Sequence, residues 1–96
     1  MTKDEELIIC TEALEKFGIM PQVLMVVEEC GELLSALSKY DRGRVGVTEV
    51  ITELADVSIM VEQMAVHFGY KDFVKERERK LERLKQRLKQ KANNPK

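Results

Sequence analysis

From Thr48 to Phe68 the chain contains no glycine or proline and is apolar almost all the way round a helix, with Val50, Ile51, Leu54, Val57, Met60, Val61 and Met64 among its residues. The β-branched members permit a strand locally, but an unbroken stretch of this length argues for a buried helix. A helix of that kind cannot stand alone, so the rest of the chain must supply helices to cover it.

The breakers mark where those helices lie. Gly18 with Pro21, then Gly43 with Gly46, then Gly69 cut the chain into four segments of helical length. Thr2 to Phe17 is one-faced, with Leu7, Ile8, Cys10, Leu14 and Phe17 on its apolar side, an acidic first turn and Gly18 at its end. The second segment, about Pro21 to Tyr40, opens on a proline suited to a first helical position. The fourth, about Lys71 to Lys91, is charged except for a narrow seam of Val74, Leu81, Leu84 and Leu88. Such a seam belongs to a bundle rim or to a coiled-coil contact between chains. These features predict an all-α, oligomeric four-helix bundle. It forms a single domain over residues 1–96, with its core at about 20–90 and a frayed tail at 92–96. One small chain covers the apolar third helix poorly, and a second copy is expected to complete the burial.

Carboxylates interrupt this apolar pattern. Glu49, Glu53 and Asp56 lie at spacings of 4 and 3, on one stripe of the third helix. The second helix carries Glu28, Glu29 and Glu32, the last two one turn apart. Acids at such spacings commonly form a solvated face. Here one set falls in a segment with little other polar surface, where a buried carboxylate costs several kcal/mol, on the order of its effective desolvation penalty, unless a cation compensates it. Antiparallel neighbours would converge four carboxylates on one point, where like charges repel. Oxygen ligands without thiolate or imidazole favour Mg²⁺, with Mn²⁺ as a possible substitute. A di-iron carboxylate site would need Glu-x-x-His pairs, and the single histidine, His67, follows no glutamate at that spacing. Mg²⁺ held by carboxylates commonly takes a substrate phosphate as well, which points to phosphoryl or nucleotidyl hydrolysis.

The motif Glu28-Glu29-x-x-Glu32, followed after twenty residues by Glu53-x-x-Asp56, resembles the E-E-x-x-E…E-x-x-D signature of the MazG-like, all-α nucleoside triphosphate pyrophosphohydrolases. Val27 to Leu33 and Ile51 to Val57 are similar to the short, phage-like members, and the resemblance covers roughly residues 20–90. It implies hydrolysis of a (d)NTP to the monophosphate and pyrophosphate with Mg²⁺, in the service of nucleotide-pool cleansing, by dimers or tetramers. It makes Glu29, Glu32, Glu53 and Asp56 the metal ligands, with Glu28 and Glu29 in the catalytic role and Glu28 placed to orient a water or a ligand. Relatives often carry Asn about two turns beyond the last acid, where this chain has Gln63, a candidate for contact with the substrate base. Lys80 and Arg83, in a Lys-Leu-Glu-Arg stretch similar to the family's last helix, are candidates for the phosphates. Lys39, with Arg42 and Arg44, is the alternative set; ordinary surface charge is the plainer account of each. Gly31, inside the motif, suggests a close approach by backbone, ligand or a packing neighbour.

Charge separates along the chain. Residues 1–70 hold 5 Lys+Arg and 13 Asp+Glu, a net −8, whereas residues 71–96 hold 11 Lys+Arg and 4 Asp+Glu, a net +7. An acidic body makes general nucleic-acid binding unlikely, although the basic tail alone attracts phosphates. No apolar run approaches the ~20 residues of a membrane span. Two cysteines, without a C-x-x-C pair, make neither a disulfide framework nor a zinc site. The acidic N-terminus is unlike a secretory signal. The expectation is a cytoplasmic enzyme without membrane contact. The rival readings are a catalytically weak nucleotide-binding module and a helical interaction module that works through its basic C-terminal helix.

Overall fold

The computed structural model describes the backbone of residues 1–93 and the side chains of residues 1–90. It consists of four helices: α1 (Lys3–Phe17), α2 (Ile19–Asp41), α3 (Val47–Phe68) and α4 (Tyr70–Asn93). There is no strand among the described residues, so the fold is all-α. Residues 94–96, part of the tail expected to fray from 92, lie outside the described residues. Among the described residues no helix is long and apolar enough to cross a membrane.

Local chemistry fixes each helix end. Thr2 opens α1 with a capping box: its Oγ1 accepts from the Glu5 N–H at 3.1 Å, and the Glu5 carboxylate accepts from the Thr2 N–H at 3.4 Å. Gly18 alone closes α1 and opens α2. Its N–H donates to the Leu14 carbonyl at 2.9 Å from a backbone with φ +85°, a conformation that glycine adopts without strain. Pro21 is therefore the third residue of α2 rather than the first. It still falls among the first N–H positions that have no intrahelical acceptor, so its missing donor costs nothing there. At the start of α3 the Glu49 carboxylate accepts from the Gly46 N–H at 3.0 Å. Glu49 is thereby engaged in capping its own helix.

The α2–α3 hairpin is the main packing unit, and α1 lies chiefly against α3. The inner face of α2 carries Val23, Val26, Leu33 and Ala36 at helical spacing, opposite Val50, Val57, Met60 and Met64 of α3. Among the described residues only four apolar ones are buried, namely Cys10, Ala36, Met60 and Ala65, and no large side chain is fully enclosed. One chain covers the apolar third helix only in part, as its length and composition imply. Ile51, Leu54 and Ile59 each remain more than half exposed, because α1 and α2 cover only part of its circumference.

The basic α4 meets only α3 among the described helices. Near its start, Phe73, Val74 and Leu81 face Ser58 and Val61 of α3 across an open cleft of about 760 Å³. At one edge of that cleft the Glu62 carboxylate accepts from Lys3 Nζ at 2.9 Å and from Tyr70 Oη at 3.1 Å, tying α1, α3 and α4 together. Leu84 and Leu88 extend beyond the cleft and stay exposed.

Candidate metal centre

The two acidic motifs meet across the α2–α3 interface. Glu29 sits at the edge of the inner face of α2. On α3, Glu53, Asp56, Met60 and Gln63 follow one stripe at spacings of 3, 4 and 3. One carboxylate oxygen from each of Glu29, Glu53 and Asp56 lies within 4.8 Å of the others. All three residues are half-buried.

Two oxygens of these residues are stranded. Glu29 Oε2 and Glu53 Oε2 are buried and have no hydrogen-bond partner. Burial pushes the Glu29 carboxyl above the ordinary carboxylate range, and the neighbouring charges of Glu32, Asp56 and Glu53 add to the effect. Burial likewise pushes Glu53 up, reinforced by Glu32 and Asp56. Glu32 is more exposed than its three companions, yet it acts on both Glu29 and Glu53, so it belongs to the same electrostatic cluster. Stranded, mutually repelling, oxygen-only donors fit a hard divalent cation, which would satisfy the orphaned lone pairs and cancel the repulsion together. Glu29, Glu53 and Asp56 would hold it, with Glu32 at the open side.

The other expected site residues are placed differently. Glu28 is exposed on α2, one position before Glu29 and therefore about 100° round the helix. Gln63 is buried on the same stripe as Glu53 and Asp56. Its Nε2 lies 3.9 Å from Met60 Sδ, and its Oε1 has no partner. Lys39 is exposed in the last turn of α2, seven residues beyond Glu32 on the same face, about 10 Å along the axis.

Lys80 and Arg83 are not brought to the acids within one chain. The α3 residues that face α4, Ser58 and Val61, each lie five residues beyond Glu53 and Asp56, about 140° round the helix from them. Lys80 instead reaches Glu76 of its own helix at 4.0 Å. Arg79 also pairs with Glu76 and holds that carboxyl below its usual range.

Some features carried no sequence signal. The Lys3–Glu62 pair joins residues 59 positions apart, a separation that no local pattern marks. Gln22, buried on α2, looks in the sequence like an ordinary surface residue. The Glu49 cap could have been found, because a glutamate three residues after Gly46 fits half of a capping box.

Comparison of the chain with protein-family models, with curated proteins and with solved structures found no match. The functional reading therefore rests on the residues and their geometry.

Proposed function

We propose that the chain is a Mg²⁺-dependent nucleoside triphosphate pyrophosphohydrolase of the MazG-like type, active as a homo-oligomer and converting a (d)NTP and water to the monophosphate and pyrophosphate. The observation that carries this reading is the stranding of Glu29 Oε2 and Glu53 Oε2, without partners, beside Asp56. A structural acid on a solvated face has water for a partner, and these two oxygens are shielded from it. The cluster also stands in the motif that resembles that family, and the same acids serve both arguments.

In this reading Glu29, Glu53, Asp56 and Glu32 hold the cation, which offsets charge on the phosphate oxygens when bound. Glu28 lies at the exposed rim and takes a proton from the attacking water. The water oxygen bonds to the α-phosphorus as the bond from that phosphorus to the α–β bridging oxygen breaks. The electron pair leaves with pyrophosphate. Gln63, with a free acceptor in the apolar interior, offers that oxygen to an amino or imino group of the base.

The test is pyrophosphate release from a panel of canonical and modified (d)NTPs with Mg²⁺ or Mn²⁺, comparing wild type with Glu53→Ala. Metal-dependent release that disappears in the variant supports the proposal. Equal release by both proteins would place the activity elsewhere, and no release with metal-dependent nucleotide binding would make the chain a binding module.

The projecting α4 favours a second reading. Its eight cations from Lys75 to Lys89 stand on a helix that, among the described residues, touches only α3, as an arm for an acidic partner would. Association with such a partner would weaken with salt and survive loss of the carboxylates.

A further inference from the structure

Among the described residues, two apolar rows are left largely uncovered. On α2, Met20, Leu24, Val27, Gly31 and Leu34 repeat at spacings of 4, 3, 4 and 3, the rhythm of a seam between helices. The four apolar side chains of that row are 64–69% exposed. A Cβ added at Gly31 would meet nothing within 4 Å, so the row has an open notch at its middle. On α4, Leu81, Leu84 and Leu88 keep the same rhythm and are 48–61% exposed.

The exposed area is too large for a self-sufficient chain. A folded monomer of 11.1 kDa is expected to expose about 5,700 Å², and this chain exposes 7740 Å². The excess, about 2,000 Å², is more than twice the ~800 Å² that each partner gives to a standard interface. The radius of gyration is 16.8 Å, against about 12.5 Å for a compact domain of this length.

Charge decides which rows pair. At 100° per residue, Glu28 and Glu32 lie along one side of the α2 row, between it and the carboxylate cluster, while Lys80 and Arg87 lie along one side of the α4 row, with Lys85 and Glu78 on the other. Pairing α2 with α2 would oppose glutamates to glutamates, and pairing α4 with α4 would oppose cations to cations. Pairing α4 with α2 satisfies both rows.

We propose that the α4 arm of each copy lies along the α2 row of a second copy, with Leu81, Leu84 and Leu88 filling the row around Gly31 and Lys80 and Arg87, on one flank of the arm, facing Glu28 and Glu32. A two-fold axis makes the exchange reciprocal, so both arms and both rows are covered. The exchange also brings cations beside the carboxylates, where the chain's own α4 does not place them. That consequence for a phosphate ligand rests on the reading of the carboxylates as a metal site; the association itself does not.

The test is the mass in solution, by light scattering on a size-exclusion column. Wild type is expected at no less than twice 11.1 kDa. Leu24→Asp and Leu84→Asp each run as monomers, with helicity unchanged by circular dichroism because both positions are exposed. An equimolar mixture of the two variants regains a dimer, since one intact α2 row and one intact arm remain. Glu28→Lys, a surface change, raises the dissociation constant by about two- to fivefold, the effect of one exposed charge contact. A monomeric wild type would overturn the proposal, as would an oligomeric Leu84→Asp or a mixture that stays monomeric. A Mg²⁺-dependent rise in melting temperature, measured on the same samples, separates the two ideas. Its presence in a monomeric wild type defeats the interface alone, and its absence in an intact dimer defeats the metal site alone.

Discussion

Glu29 of α2 and Glu53 of α3 each turn a carboxylate oxygen into the same shielded space, and neither oxygen has a hydrogen-bond partner. The pair is unfavourable as it stands. Burial and the charges of Glu32 and Asp56 raise both carboxyls above their ordinary range, so the folded chain holds protons there more tightly than the unfolded chain does.

The sign of the pH dependence follows by linkage. A carboxyl whose folded pKa is raised contributes stability below its unfolded value, and loses that contribution as pH rises through the folded value. Without metal, the Glu29 and Glu53 contribution is therefore greatest at mildly acid pH and declines towards neutrality. Mg²⁺ at pH 7.5 is expected to raise the melting temperature, with the increment fading as pH falls and protons compete for the raised carboxyls. Glu53→Gln is expected to raise the metal-free melting temperature at pH 7.5 and to abolish the Mg²⁺ increment. A variant less stable than wild type without metal would contradict the strained-pair account. Thermal denaturation with EDTA and with Mg²⁺ checks both.

Binding and chemistry should separate at Glu28. Its side chain is exposed and stands outside the group of oxygens within 4.8 Å. Glu28→Gln is expected to keep the Mg²⁺-induced rise in melting temperature while lowering kcat by about 10²–10⁴-fold, the usual cost of removing a general base. Loss of the Mg²⁺ increment in this variant would make Glu28 a ligand instead. Asp56→Ala should lose the increment and the activity together.

Much of this site was legible in the chain because the acids repeat at helical spacing and helix periodicity fixes which of them share a face. Glu53 and Asp56 could be placed together from their numbers alone, as could Glu29 and Glu32. What the third helix packs against could not be read so directly. Its apolar circumference demands a cover that one chain supplies only in part, and Ile51, Leu54 and Ile59 stay open, because hydrophobicity does not say which surface completes it. Lys80 and Arg83 failed to reach the acids within the chain for a related reason. Their position on a helix is a local property, whereas the direction in which α4 leaves α3 is set by contacts around Gly69, Tyr70 and Glu62. Glu49 was grouped with the other acids by spacing, and the competing use of its carboxylate as a cap removed it.

Gln63 provides a separate check on the interior. Its Oε1 is buried without a donor, and an unsatisfied group of this kind costs about 1–3 kcal/mol. Gln63→Met keeps the volume and removes the polar atoms, so the ligand-free protein should gain roughly 1 kcal/mol, read as a rise in melting temperature. If the amide reads the base, the same change should flatten the preference among (d)NTPs through KM and leave the Mg²⁺ increment intact. An unchanged substrate profile would assign Gln63 to packing alone.

Gly31 yields the prediction with the most informative sign. It lies inside α2 with an unstrained φ, and an added methyl group meets nothing in its own chain. Helix propensity alone then favours alanine by about 1 kcal/mol, so an isolated chain should become more stable on Gly31→Ala. A second copy's leucine seated over the notch reverses the balance, because the methyl group occupies the space that the leucine needs and overpacking a contact typically costs about 1–3 kcal/mol. The expected result combines both effects. Gly31→Ala should weaken association at micromolar concentration by light scattering, and the helicity of the dissociated chain should rise. Dilution distinguishes the contributions, since the propensity gain is independent of concentration and the contact loss is not. An association constant equal to wild type, together with a higher melting temperature at every concentration, would show that nothing packs over Gly31.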